Sequence, residues 1–164
     1  MANISLPLLS ALLWAVGLCL IGGLMTPRGP WYASLRKPPW QPPGWAFGPA
    51  WTLILGLAAW AGVRAWDVAM PAQQVDILIV FGVNALFHML WSPLFFRAER
   101  PDWALGEVPF LWASVLAMLV ALWPIDRTAA LLILPYLFWV TFAARLNLEI
   151  VRRNPQPRPF PLQF

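Results

Sequence analysis

Five stretches of this chain run without Asp, Glu, Lys or Arg for about the length of a membrane-crossing helix. They are everything before Arg28, then Lys37 to Arg64, Asp76 to Arg97, Glu107 to Asp126, and Arg127 to Arg145. A helix rising about 1.5 Å per residue needs roughly 20 apolar residues to cross a hydrocarbon core. In lipid, every backbone N–H and C=O must find its partner inside the structure, which leaves helices and closed barrels. The composition agrees, with 60% hydrophobic residues, 11% charged and a mean hydropathy of +0.65 over 164 residues. The expected fold class is therefore an all-α integral membrane protein, a five-helix transmembrane bundle. Spans are expected near residues 4–25, 44–66, 75–96, 103–123 and 128–151, in a single membrane domain over 1–164. The first span lacks the basic leader of a secretory signal and is too long for one, so it is expected to remain.

Five spans alternate the connections between two sides. One side collects Arg64 and Arg127, the other Arg28, Arg36, Lys37, Arg97, Arg100, Arg152, Arg153 and Arg158, with Arg145 inside the last span. The excess of Lys and Arg marks the second side as cytoplasmic, so the N-terminus faces away from the cytoplasm while the 26–43 loop and the C-terminus face it. The net charge of +4 is then a topology signal; charges this few and dispersed do not make a nucleic-acid surface. Cys19 is the lone cysteine and lies in the first span, where it reads as packing.

Three short connections lead one to expect consecutive helices antiparallel and side by side. The long connection 26–43 is different, because prolines at 27, 30, 38, 39, 42 and 43 stiffen it and lower the entropy lost when it is ordered. It reads as a preorganised lid. The stretch "WYASLRKPPWQPPGWAFGPAW" continues from it into the second span, with tryptophans at 31, 40, 45 and 51. The tail "NPQPRPFPLQF" alternates proline with other residues and reads as extended, without chemistry.

Helical spacing groups the candidate site residues. Asn84, His88, Trp91 and Phe95 follow one another at intervals of four, three and four, with Phe87 alongside. Polar groups in the hydrocarbon zone are costly, so Asn84 and His88 should face the interior, either as interhelical hydrogen bonds or on a cavity. Tyr136, Trp139, Ala143 and Asn147 share a stripe in the fifth span, and Phe47, Trp51 and Leu55 line up in the second. An interfacial belt accounts for Trp31, Trp66, Trp103 and Trp123 near span ends, and less well for Trp51, Trp91 and Trp139. Three aromatic faces below a stiff loop suit a large, flat, mostly apolar ligand, with Asn84, His88, Tyr136 and Asn147 as its polar contacts. Arg145 is expected to pair with Glu149 or to snorkel towards the interface, and Thr141 to bond back to its own helix.

No catalytic triad, carboxylate pair, phosphate loop or metal cluster is apparent, so no catalytic residue, metal or cofactor is expected. No buried acid is apparent in the middle of the membrane, which weighs against ion-coupled transport. Ala58 with Gly62, and Ala113 with Ala117, are small-residue pairs suited to close helix approach.

Three segments, "WYASLRKPPWQPPGWAFGPAW", "NALFHMLWSPLFF" running into "DWAL", and "PYLFWVTFAARLN", resemble the translocator protein family, also called tryptophan-rich sensory proteins or peripheral-type benzodiazepine receptors. The similarity covers nearly the whole chain. It implies a five-helix bundle, usually a homodimer in the bilayer, with a pocket under the first loop in each subunit. It also implies porphyrins such as protoporphyrin IX as ligands, sterols for many members, and synthetic isoquinoline carboxamides and benzodiazepines. Carried over residue by residue, the pocket would involve Tyr32, Trp40, Phe47, Trp51, Asn84, Phe87, Trp91, Tyr136, Trp139, Ala143, Leu146 and Asn147. His88, also a candidate ligand contact, stands where many relatives have Asn. In the family's sterol pattern, "LNLEIVR" places Leu148 where the tyrosine would be. The expected function is a membrane-embedded porphyrin-binding protein that senses, regulates or transports. Light-dependent porphyrin degradation through pocket tryptophans, and sterol or porphyrin transport proper, are the alternatives.

Overall fold

The computed structural model describes residues 5–155, and most of the proline-rich tail lies outside them. Five helices in it are long and apolar enough to cross a membrane. They are α1 (Leu6–Leu24), α3 (Phe47–Val68, entered by a 3-10 turn over Gly44–Ala46), α4 (Pro71–Ser92), α5 (Pro101–Leu122) and α7 (Leu134–Arg153). The short helices α2 (Pro30–Ser34) and α6 (Arg127–Leu132) complete the set. Proline stands in the first turn of α1, α2, α4, α5 and α7, where its missing N–H would have had no partner in any case.

Large apolar side chains cover the outside as well as the inside. Leu13, Leu20, Leu53, Leu78, Leu86 and Phe138 are all exposed, a surface suited to lipid and costly in water. In the interior α3 contributes small residues, with Ala58, Ala61 and Ala65 fully buried, beside larger fully buried side chains such as Leu55, Met118, Leu122 and Ile133. Around it the helices pack in the order α3, α1, α4, α5, α7, with α6 against α3 and α5.

Consecutive helices are therefore not all neighbours. Only Ala69 and Met70 separate α3 from α4, yet the two barely pack, because α1 is wedged between them. Trp14 of α1 stacks edge-on against Phe81 of α4 at 5.2 Å and donates its indole N–H to the Phe81 carbonyl at 3.1 Å. Where α3 and α4 do meet, the Phe81 ring occupies the space over Gly62; a Cβ there would stand 3.1 Å from it. The Ala58–Gly62 pair thus serves close approach within the chain, whereas Ala113 and Ala117 stay on the outer surface.

The fifth span departs from a single expected helix. Pro135 cannot donate to a carbonyl one turn back, and the chain breaks at Ile133, whose own carbonyl accepts from Tyr136 and Leu137. Asp126 starts α6 as its N-cap, accepting from the amides of Thr128 (2.8 Å) and Ala129 (3.1 Å) and from Arg64 of α3 at 2.8 Å. Burial pushes this carboxyl up, but the two amides and the guanidinium outweigh it and hold it below the ordinary carboxylate value. At the other end, Glu149 pairs with Arg153 at 2.8 Å, while Arg145 is exposed and pairs with no described residue, leaving snorkelling as its role. Thr141 bonds back to the Leu137 carbonyl at 2.8 Å, as its position suggests, and accepts from Trp112.

Candidate functional site

A cavity of about 230 Å³ lies inside the bundle at the end that carries the long loop. Its walls come from α1 (Leu18, Cys19, Gly22), α3 (Phe47, Trp51, Leu55), α4 (His88, Trp91), α5 (Val108, Leu111) and α7 (Trp139, Ala143). Trp51 is the centre of the aromatic lining. His88 meets it edge-on at 4.9 Å, Tyr136 at 6.0 Å and Trp139 at 6.1 Å, and Phe47 meets Trp139 at 5.9 Å. Edge-to-face pairs of this kind contribute about 0.5–1.5 kcal/mol each beyond area burial, so the indole planes are held in place before any ligand arrives.

The α4 wall is extended by an irregularity. Ser92 is followed by a π turn over Pro93–Arg97, closed by the Ala98 amide on the Pro93 carbonyl at 2.9 Å. The wider turn rotates less per residue, so Phe95 and Phe96 both reach the cavity, where regular spacing from Trp91 selects Phe95 alone.

Of the thirteen residues singled out from sequence, Tyr32, Phe47, Trp51, His88, Trp91, Trp139, Ala143, Leu146 and Asn147 line the cavity. Asn84 and Tyr136 do not; both are fully buried behind the wall. They form a chain of hydrogen bonds in which each proton can be assigned. Ser114 Oγ donates to the Leu111 carbonyl (2.7 Å), Asn84 Nδ2 donates to Ser114 Oγ (3.0 Å), and Tyr136 Oη donates to Asn84 Oδ1 (3.2 Å). The tyrosine proton is then spent, so the 2.8 Å contact between Tyr136 Oη and His88 Nδ1 requires the imidazole to donate. That fixes the Nδ1–H tautomer and leaves Nε2 of His88 as an acceptor on a ring that lines the cavity. The indole N–H of Trp139 is a buried donor without a partner among the described residues. An apolar space with one fixed acceptor orients a ligand as well as burying it.

Phe87 and Trp40 also stand off the cavity. Phe87 faces outward and stacks on Phe110 at 5.7 Å, because its neighbour His88 takes the inward position. Trp40 is 43% exposed and packs edge-on against Phe142 at 5.8 Å, pinning the loop to α7 without facing the cavity. The loop covers the mouth instead with Thr26, Arg28 and Tyr32. Trp31 joins it to the bundle through an edge contact with Phe95 at 6.0 Å, so it packs as well as lying near a span end. Asn154 clasps the loop, accepting from the Arg36 amide at 2.9 Å and donating to the Arg36 carbonyl at 3.0 Å. Lys37 lies over the Tyr32 ring at 4.3 Å, and Gln41 donates to its hydroxyl at 3.3 Å.

Asn147 both lines the cavity and serves α5. With its amide turned to satisfy both groups, it donates to the Pro101 carbonyl and accepts from the Leu105 amide, each at 3.1 Å. One turn on from Leu105 lies the interior proline Pro109, so α5 is irregular where it borders the site. Between them sits Glu107, which corrects the expectation of no buried acid. It is only 6% exposed, and neither carboxylate oxygen has a partner among the described residues. Its position on the stripe of Ala104, Leu111 and Ser114 was the signal that could have found it, since all of these are buried. Among the described residues no His, Cys, Asp and Glu group could hold a metal ion.

Residues 9–153 match the model of the TspO/MBR family. The chain is 35% identical to Protein CrtK of Rhodobacter capsulatus, covering 86% of this chain and 88% of that one. It is 38% identical to a tryptophan-rich sensory protein of Cereibacter sphaeroides (81% and 82% covered), and 31% identical to the human translocator protein (76% and 75%). With five apolar helices around an aromatic cavity and a family match over nearly its whole length, this multi-pass membrane chain belongs to the TspO/MBR family.

Proposed function

We propose that this chain binds flat, apolar tetrapyrroles of the porphyrin type in the cavity around Trp51. Family membership supports a membrane sensor or transporter, and relatives are named as sensory and translocator proteins. The observation that carries the ligand class is the convergence of Trp51, Trp91, Trp139 and Phe47 on one apolar space beneath a clasped loop. At about 230 Å³ the space is smaller than the roughly 300–1,000 Å³ of drug-sized sites, so a whole macrocycle enters only as the 26–43 loop swings outward. Titrating protoporphyrin IX into purified protein should quench tryptophan fluorescence saturably. Unchanged affinity and quenching in the double variant Trp51→Phe with Trp139→Phe would remove the pocket assignment. Illuminating the complex separates binding from degradation, since a binder returns intact porphyrin and a degrader gives new absorbance bands over many turnovers.

Transport proper is the second reading, favoured by one observation. Glu107 is a buried, unpaired carboxyl beside the cavity wall, which removes the objection that the bundle holds no acid to carry a proton. Porphyrin flux into proteoliposomes that is driven by a pH gradient and lost in Glu107→Gln supports it; flux equal to that of empty vesicles sinks it. The homodimer and the sterol ligands implied by the family belong to the same proposal. So does the cytoplasmic placement of the loop.

A further inference from the structure

One charged side chain stands among the described residues that line the cavity. Arg28 lines it, and its guanidinium makes no hydrogen bond or ion pair with any described residue. Of the other described cations at this end of the bundle, Arg36 and Arg152 are exposed and do not line the cavity, and the remaining four are engaged. Arg97 reaches the Leu24 carbonyl at 3.4 Å, Lys37 lies over Tyr32, Arg100 pairs with Asp102, and Arg153 pairs with Glu149. The neighbouring hydroxyl of Thr26 is not free either, since it donates to the Gly22 carbonyl at 2.6 Å.

A glycine creates the place where Arg28 rests. A Cβ at Gly44 would stand 2.5 Å from Arg28 Nη1, too close to coexist with it. The obstructing atom is the far end of a flexible side chain, so alanine at 44 would displace the guanidinium and leave the backbone as it is. Loop and 3-10 turn together therefore hold an unpaired fork of N–H donors at the edge of an aromatic chamber.

We propose that Arg28 anchors an anionic group, a carboxylate, carried by a ligand whose flat apolar body lies in the cavity. This rests on the tetrapyrrole reading above and narrows it to amphipathic acids, with the rings inside and the acid at the loop. The planar guanidinium matches a carboxylate with two parallel N–H···O bonds. A lipid phosphate offers similar chemistry from the membrane side, and the test distinguishes the two.

Protoporphyrin IX and its dimethyl ester are titrated into the full chain in lipid-free, non-ionic detergent while tryptophan fluorescence is followed. Wild type should prefer the diacid by about fivefold to tenfold, the scale of one charge-assisted contact at a partly exposed site. Arg28→Gln and Gly44→Ala should each abolish that preference with the ester's affinity unchanged. A preference that persists in either variant overturns the anchor while the binding reading stands. Equal loss of both ligands overturns it too, since an anchor for the anion leaves the ester untouched. No saturable quenching of folded wild type by either compound removes the reading and the anchor together. Phosphatidylglycerol is then added, and if it erases the wild-type preference, the guanidinium is a headgroup contact and the proposal falls.

Discussion

Replacing Tyr136 by Phe removes one oxygen, yet two neighbours lose their partner at once, Asn84 Oδ1 and His88 Nδ1. Both are buried, so the variant should be destabilised by about 1–3 kcal/mol, seen as a lower Tm in detergent. The same change frees the imidazole to exchange tautomers, so porphyrin affinity should fall although Tyr136 does not line the cavity. Gly62→Val tests a different contact, because its side chain must displace the Phe81 ring that rests there. Overpacking of this kind costs about 1–3 kcal/mol, and a Tm equal to that of wild type would show that α4 can yield at that point. Much of the site is visible in the spacing of aromatic and polar residues, because Phe47, Trp51, His88, Trp91, Trp139, Ala143 and Asn147, chosen that way, share one cavity, which Tyr32 and Leu146 join from the family resemblance. Arg28 is not, since its position depends on a glycine far along the loop, and Glu107 shows only in its stripe with Ala104, Leu111 and Ser114, which the uncharged runs do not sense.

At the scale of helices, Asp126 couples the start of α6 to α3. Asp126→Ala should lower stability by about 1 kcal/mol at neutral pH, the usual loss of an N-cap. The wild-type carboxyl is held below its ordinary value of 3.8, so its contribution is complete above that value and is lost as pH falls through the lower, folded-state value. Thermal melts of the two proteins should therefore converge only in acid below that point, and convergence at pH 6 would mean that the capping bonds do not form. Uncharged runs revealed all five long helices, because desolvation of charge is the largest energy in a bilayer. The break at Ile133 and the π turn at Pro93 depend on which carbonyls lose their donors to proline, a local matter that apolar run length does not sense. Loop length also misjudged α3 and α4: a two-residue link makes helices consecutive, but it is Trp14 of α1 that fills the groove between them.

For the whole molecule, ligand entry and membrane orientation meet at one end of the bundle. The clasp of Asn154 on Arg36 ties the loop to the end of α7, so Asn154→Ala should speed both association and release of porphyrin in stopped-flow fluorescence. Equal rates would show that entry does not use the loop. A reporter fused after the last residue should be active in the cytoplasm if the positive end faces it. The wedged position of α1 bears on how the chain is assembled. The helix α1 is also the partition between two later ones joined by a two-residue link, and its residues Leu18, Cys19 and Gly22 form one side of the cavity. It packs against both with one face and leaves Leu9, Leu13, Val16 and Leu20 exposed on the other. A chain supplied with α1 as a separate peptide should recover its chamber by lateral docking alone.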